Sequence, residues 1–103
     1  MTTWFEMRSR PDKTGRVWLI VDGELDIASV PLLSERLWEL IEADADVVLD
    51  LTAVTFIDSA TVRLLWSLRD QLHDRNLALI APLGQARGLL ELTGLVPAPS
   101  VTA

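Results

Sequence analysis

Two acidic segments of the sequence carry the residues best suited to chemistry. The first contains Asp22 and Asp26, and the second contains Asp58, which is followed directly by the hydroxyl of Ser59. Each segment comes after an apolar run with the composition of a buried strand. Because the carboxyl ends of parallel strands gather at one edge of a sheet, we expect these four residues to converge on one acidic patch.

Other reactive side chains are scarce. The sequence contains no cysteine and no tyrosine, a single histidine, and a single lysine, Lys13. Acid or base chemistry near neutral pH would therefore depend on carboxylates, and cysteine nucleophiles and thiolate metal sites are excluded. We predict that the protein is not an enzyme and that it uses no cofactor and no metal. The absence of cysteine also suits a reducing cytoplasm.

The composition disfavours several classes of partner. The chain of 103 residues carries 9 basic and 15 acidic side chains, a formal net charge of -6, and half of its residues are hydrophobic. The negative charge repels nucleic acid and anionic lipid surfaces. No apolar run approaches the ~20 residues that span a bilayer, and the first residues lack a secretory pattern. We expect one cytoplasmic domain over 1–103, with residues 1–3 and 96–103 loosely ordered.

Four segments predict β-strands. Val17 to Val21, Val47 to Leu51 and Leu77 to Ala81 are continuous apolar runs, which are typical of parallel strands buried on both faces. Trp4 to Ser9 instead alternates apolar and polar residues, as a half-exposed edge strand does. The three apolar runs predict a parallel sheet, and the alternating segment predicts its edge.

Three helical segments lie between and after these strands. The first begins at Ser29, the second extends from Ser59 to about Asn76, and the third runs from about Gln85 to Thr93, before Gly94. Serine favours the N-cap position, so we expect Ser59 to cap the second helix. The alternation predicts an α/β domain: a mostly parallel sheet of four to five strands with an antiparallel edge strand, packed by about three helices.

Four motifs carry a resemblance to a known family. They are Gly23-Glu24-Leu25-Asp26, Val48-Leu49-Asp50-Leu51, Thr55-Phe56-Ile57-Asp58-Ser59 and Leu90-Glu91-Leu92-Thr93-Gly94-Leu95. In this order and spacing they resemble the STAS domain, and especially its anti-sigma factor antagonist branch. The similarity covers nearly the whole chain.

The resemblance implies a switch protein in transcription regulation. Members of that branch bind an anti-sigma factor that is also a serine kinase, and so release the sigma factor. The kinase phosphorylates the serine after the aspartate, which is Ser59 here; phosphorylation turns binding off, and a serine phosphatase resets the system. The expected partner-binding residues are Asp22, Asp26, Asp58, Thr61, Arg63 and Trp66.

The physical properties of the segment fit this role, with one departure. A phosphate on Ser59 would add about -1.5 to -2 charge next to helix amides and strengthen the acidic patch. The family's phosphorylated members usually have serine or threonine and then glycine after the modified serine, whereas this chain has Ala60 and Thr61. Glycine permits close backbone approach and branched threonine does not, so the departure concerns kinase docking rather than the fold.

Two alternatives stay open. One is a STAS adaptor subunit of a membrane transporter ATPase, in which Ser59 is not modified; the missing glycine favours it. The other, ranked lower, is a receiver-like domain that binds magnesium through its acidic loops and is phosphorylated on aspartate. That mechanism needs a lysine after the last strand, whereas Lys13 precedes the second strand.

Overall fold

Strands and helices alternate along the chain in the computed structural model, which describes residues 4–72 and 77–95. The expectations for residues 1–3, for 96–103 and for the end of the second helix near Asn76 lie outside the described residues. The elements are β1 (Phe5–Pro11), β2 (Val17–Leu25), α1 (Val30–Glu42), β3 (Val47–Ile57), α2 (Ser59–Leu72), β4 (Leu77–Ile80) and α3 (Gly84–Leu92).

The four strands form one mixed sheet in the order β1-β2-β3-β4. β1 pairs antiparallel with β2, while β2, β3 and β4 are parallel to one another. This arrangement confirms the predicted antiparallel edge strand and the mostly parallel sheet. Within the described residues, three helices are present, as expected.

The order of the strands decides where the helices lie. The crossovers through α1 and α2 step in the same direction across the sheet, from β2 to β3 and from β3 to β4. Because such crossovers are right-handed, both helices must lie on the same face. The buried cluster agrees, since alternate strand residues pack against residues of all three helices, including Leu19, Val21, Leu49, Leu37, Leu65 and Leu90.

The opposite face of the sheet differs from the expectation that both faces are covered. Before the bulges of β3, its apolar residues are Trp18, Ile20, Val48, Ala78 and Ile80, of which only Val48 is fully buried. None of the five belongs to the cluster that contains the described helices. The continuous apolar runs were therefore correct as strands, but the second face is open in the part of the chain that the structure describes.

Both central strands extend beyond their apolar runs. β2 continues through Asp22 and Gly23. β3 contains two bulges, which lie opposite the β2 steps from Ile20 to Asp22 and from Gly23 to Glu24. Gly23 has φ 101°, and a methyl group there would overlap Trp4. Asp22 and Gly23 end the apolar pattern of the sequence, but the backbone pairing of β2 continues through them.

Asp12 organises the turn between β1 and β2. Its Oδ1 atom accepts hydrogen bonds from the amides of Thr14 (2.8 Å) and Arg16 (3.1 Å). Its Oδ2 atom accepts one from the indole Nε1 of Trp18 (2.9 Å). Donors from the Thr14 hydroxyl and the Trp18 indole hold the pKa of this carboxyl well below its usual range.

Stability at acidic pH tests this role of Asp12. A depressed pKa means that the carboxylate stabilises the folded state above the unfolded value of about 3.9 and loses that contribution as the pH falls further. We therefore expect Asp12→Asn to lower the urea midpoint at about pH 7, with the difference from wild type shrinking below about pH 4. Asp70→Asn, which removes an exposed carboxylate of α2, is the control. A gap that is equally wide at both pH values would contradict the assignment.

A pair of leucine truncations tests the position of the core. Leu49 is fully buried in β3, whereas Leu92 is 86% exposed on α3. Leu49→Ala should lower the free energy of unfolding by about 2–5 kcal/mol, because it removes buried contacts and leaves a cavity. Leu92→Ala should change it by less than about 0.5 kcal/mol. Equal losses in urea denaturation would show that the core is placed wrongly.

Candidate functional site

Asp58 connects two loops at the carboxyl edge of the sheet. Its Oδ1 atom accepts hydrogen bonds from the amides of Ala60 (3.0 Å) and Thr61 (3.2 Å), and its Oδ2 atom accepts one from the amide of Ile27 (3.1 Å). The two hydrogen bonds to Oδ1 cap α2, and the hydrogen bond to Oδ2 ties the loop between β2 and α1 to the start of that helix. One carboxylate thus fixes the geometry of both loops.

The prediction that Ser59 caps α2 is wrong, because Asp58 occupies that position. The first helical hydrogen bond runs from the amide of Val62 to the carbonyl of Asp58 (3.2 Å), which makes Ser59 the first residue inside the helix. The Ser59 side chain is exposed, and its hydroxyl forms no hydrogen bond with any residue that the structure describes. The hydroxyl is therefore accessible and lies one residue from the capping carboxylate.

Thr61 lies on the inner side of α2 and is completely buried. Its hydroxyl donates to the carbonyl of Leu25 at 3.1 Å, which fastens α2 to the end of β2. This burial leaves no part of the Thr61 side chain for a partner to touch. Thr61 therefore does not belong to the exposed group expected from the sequence.

The two remaining aspartates occupy different surroundings. Asp26 forms the turn before α1, since its Oδ1 accepts from the amides of Ala28 (2.9 Å) and Ser29 (3.2 Å). Asp26 also precedes Ile27, whose amide binds Asp58. Asp22 instead lies within β2 on the open face, with its Oδ2 3.7 Å from the guanidinium of Arg8. The acidic patch thus contains Asp26 and Asp58 but not Asp22.

α2 presents an exposed row that begins at Ser59. Arg63 and Trp66 follow at four and seven residues, the spacing that keeps side chains on one face of a helix. Trp66 is 43% exposed, and the guanidinium carbon of Arg69 lies 5.8 Å from its ring centroid. The structure therefore brings Ser59, Arg63 and Trp66 to one surface.

The sequence reading missed two apolar residues beside this row. Ile27, in the loop after β2, is 77% exposed, and Leu83, in the loop after β4, is 75% exposed. Since β3 lies between β2 and β4, these loops flank the loop that carries Ser59. The sequence did contain a signal for them, because loops favour polar residues and a large apolar residue in a loop indicates a contact surface. We call the exposed residues Ile27, Ser59, Arg63, Trp66 and Leu83 the Ser59 surface.

Gln85 attaches the third loop to the same edge. Its side-chain amide donates to the carbonyl of Ile57 (3.1 Å), and its Oε1 accepts from the amide of Ile57 (3.3 Å). Ile57 directly precedes Asp58, so Gln85 and Asp58 together hold three loops in register. The Ser59 surface therefore rests on fixed loops.

Lys13 lies in the turn between β1 and β2, whereas Ser59 follows the carboxyl end of β3. The lysine expected of a receiver-like domain is thus at the wrong end of the sheet. Within residues 4–72 and 77–95, no group of three histidine, cysteine or acidic residues could hold a metal ion. No helix in the same ranges is long and apolar enough to cross a membrane.

Solved structures share this architecture. An anti-sigma factor antagonist from Mycobacterium paratuberculosis superposes with a TM-score of 0.78 at 25% identity, over 95% of this chain and 88% of that one. The anti-sigma factor antagonist SpoIIAA in its unphosphorylated form gives 0.74 at 18% identity, over 89% and 84%. An antisigma-factor antagonist STAS domain from Rhodobacter sphaeroides gives 0.57 at 26%, over 74% and 85%. The fold is thus that of a SpoIIAA-like domain.

The sequence leads to the same family. The model of the STAS domain matches residues 8–101, so the chain belongs to the STAS domain family. Comparison with curated protein sequences gives no match. The expected family and fold are confirmed by these findings.

Substitutions at Thr61 test the inner side of the site. Thr61→Val keeps the shape of the side chain but leaves the carbonyl of Leu25 without its buried donor, so we expect a loss of about 1–3 kcal/mol in the free energy of unfolding. Thr61→Ser retains the hydroxyl and should lose less. Urea denaturation distinguishes the two variants, and a Thr61→Val protein as stable as wild type would contradict the role of this hydrogen bond.

Proposed function

We propose that this protein is an anti-sigma factor antagonist, which binds an anti-sigma factor with serine kinase activity and releases the sigma factor. Phosphorylation of Ser59 by the bound kinase would end the interaction, and a serine phosphatase would restore it. The observation that carries the proposal is the exposed Ser59 hydroxyl, placed directly after the carboxylate that fixes the surrounding loops. The kinship with anti-sigma factor antagonists supports the same role.

The Ser59 surface suits a protein partner. Ile27, Leu83 and Trp66 offer apolar area, and aromatic side chains are frequent anchors in interfaces. Arg63, Asp26 and Asp58 supply charges around them, which would select a partner of matching charge. The Asp58 and Gln85 contacts hold the loops in place, so binding costs little ordering of the backbone.

The departure at Ala60 and Thr61 does not block access to Ser59. The Thr61 side chain is buried against Leu25, so it does not stand between Ser59 and a kinase. The missing glycine is therefore compatible with modification of this serine.

A phosphate on Ser59 would change the electrostatics of the surface. The amides of Ala60 and Thr61 already donate to Asp58, so they are not available to neutralise a phosphate. The added charge of about -1.5 to -2 would thus stand beside a carboxylate and face the partner. Arg63, one helical turn away, is the nearest exposed cation along α2 and would neutralise only part of it. Loss of affinity for the partner follows.

Kinase and binding assays test the proposal with variants of Ser59. The protein is incubated with candidate serine-kinase anti-sigma factors and ATP, and mass spectrometry measures the added phosphate. Wild type should gain one phosphate, and Ser59→Ala should gain none while still binding. Ser59→Asp should bind at least ~10-fold more weakly than Ser59→Ala, because a charge replaces the hydroxyl.

Gln71 provides a control. It is exposed near the other end of the same helix, twelve residues beyond Ser59. Gln71→Glu adds a negative charge there and should bind within about twofold of wild type. Equal affinities of Ser59→Ala and Ser59→Asp, or a phosphate that persists in Ser59→Ala, would refute the switch at Ser59.

A further inference from the structure

A cluster of positive charge lies in the hairpin formed by β1 and β2. Residues 8–16 contain Arg8, Arg10, Lys13 and Arg16, which are four of the nine basic residues, and Asp12 is the only acidic residue among them. The rest of the chain has five basic and fourteen acidic residues. The hairpin is therefore a positive region on a negative protein.

Two of these cations have no carboxylate partner. Arg8 lies 3.7 Å from the carboxylate of Asp22, and Arg16 lies 3.8 Å from that of Asp12. Arg10 and Lys13 form no ion pair with any residue of the described ranges. Both are exposed, so both are available to an external anion.

A shallow depression of about 530 Å³ lies between these two cations. Its lining consists of Arg10, Pro11, Asp12, Lys13 and Trp18. The hydrogen bond of 2.9 Å from the Trp18 indole to Asp12 fixes the plane of the ring. The Asp12 carboxylate also accepts hydrogen bonds from the amides of Thr14 and Arg16, so both of its oxygens already have donors within the turn. The depression thus combines two free cations with a fixed aromatic surface.

Apolar residues extend this depression across the open face of the sheet. Trp18 is paired with Arg10 on one side and with Val48 on the other, and Val48 is paired with Ala78. Neighbouring strands lie about 4.8 Å apart, so the three apolar residues form a row that leads away from the cations. The three residues lie outside the cluster that contains the described helices; Ala78 is exposed and Trp18 is half-buried, while Val48 between them is buried.

We propose that the hairpin and this row, defined by Arg10, Lys13, Trp18, Val48 and Ala78, form a second docking surface for an acidic segment of a partner protein. Carboxylates of the segment would pair with Arg10 and Lys13, and its apolar side chains would cover Trp18 and Ala78, on either side of the buried Val48. We call this the hairpin surface. It does not depend on the function proposed for Ser59.

Charge complementarity favours an acidic protein segment. The screening length at physiological salt is about 8 Å, so a ligand at the hairpin experiences the local cations more than the net negative charge. Two free cations are fewer than the 4–8 that typically hold a protein at an anionic membrane. The apolar row requires apolar atoms in the ligand as well, which a simple inorganic anion lacks.

The hairpin surface and the Ser59 surface lie at opposite ends of the parallel strands. β2 begins at Val17, next to the hairpin, and ends at Leu25, whose carbonyl receives the hydroxyl of Thr61. Eight steps along a strand correspond to about 26 Å. A partner on one surface would leave the other surface free.

A peptide titration followed by NMR tests the proposal on the full chain. The probe is a short synthetic peptide in which glutamate alternates with leucine, added to ¹⁵N-labelled protein. We expect saturable shifts of the Trp18 indole signal, assigned with Trp18→Phe, and of amides in residues 10–18, but none along α2. Raising the salt from about 50 to about 300 mM should weaken the binding.

Charge variants identify the binding residues. Arg10→Glu should weaken peptide binding at least ~10-fold, and Ala78→Glu should also weaken it, because both place a negative charge against the segment. Arg87→Glu makes the same change of charge on α3 and should bind within about twofold of wild type. Unchanged melting temperatures would show that these variants fold.

Several results would overturn the proposal. One is the absence of saturable shifts up to about 1 mM peptide; another is equal binding of a peptide with lysine in place of glutamate. Equal binding of a peptide with serine in place of leucine would make the site one for anions alone. Binding of phosphatidylglycerol vesicles but not the peptide would assign it to lipid. A dimer that buries the row, or binding only after removal of residues 96–103, would identify another occupant.

Discussion

The carboxylate of Asp58 is the interaction on which the candidate site depends. It satisfies two amides at the start of α2 with one oxygen and holds the amide of Ile27 with the other. Without it, the first turn of α2 would lack its cap, and the loop after β2 would lose its attachment. Because the cap is supplied by Asp58, the hydroxyl of Ser59 is released from any structural task. That division of roles between adjacent residues leaves Ser59 available for modification.

The direction of the crossovers determines which face of the sheet the helices cover. Two right-handed connections that step the same way place α1 and α2 on one face of the sheet, and α3 joins the same core. A doubly wound sheet would reverse the direction and cover both faces. This chain therefore has an uncovered sheet face in its described part, although its strands are as apolar as those of a covered sheet. The one-sided arrangement explains why Ala78 is exposed and Trp18 is only half-buried on that face.

Local patterns were sufficient for the order and type of the elements. Apolar runs, the alternation in the first strand and glycine at the end of the last helix depend on neighbouring residues, and a sequence displays these directly. Adjacent residues that both favour an N-cap are harder to distinguish, so the sequence assigned to Ser59 the cap that Asp58 forms. Thr61 is buried because its hydroxyl meets the carbonyl of Leu25, 36 residues earlier in the chain. Only the assembled fold reveals such a contact.

The distribution of charge along the strands gives the two ends of the molecule different chemistry. At the amino end of β2, the turn and its flanks carry Arg10, Lys13 and Arg16 and one acid, Asp12, which the turn itself binds, while Asp46 lies beside Val17. At the carboxyl end, backbone amides bind the carboxylates of Asp26 and Asp58, which thereby shape the loops. An added anion would therefore be resisted at the Ser59 surface and attracted at the hairpin surface. Since screening limits each effect to about 8–10 Å, the two ends can respond to different partners independently.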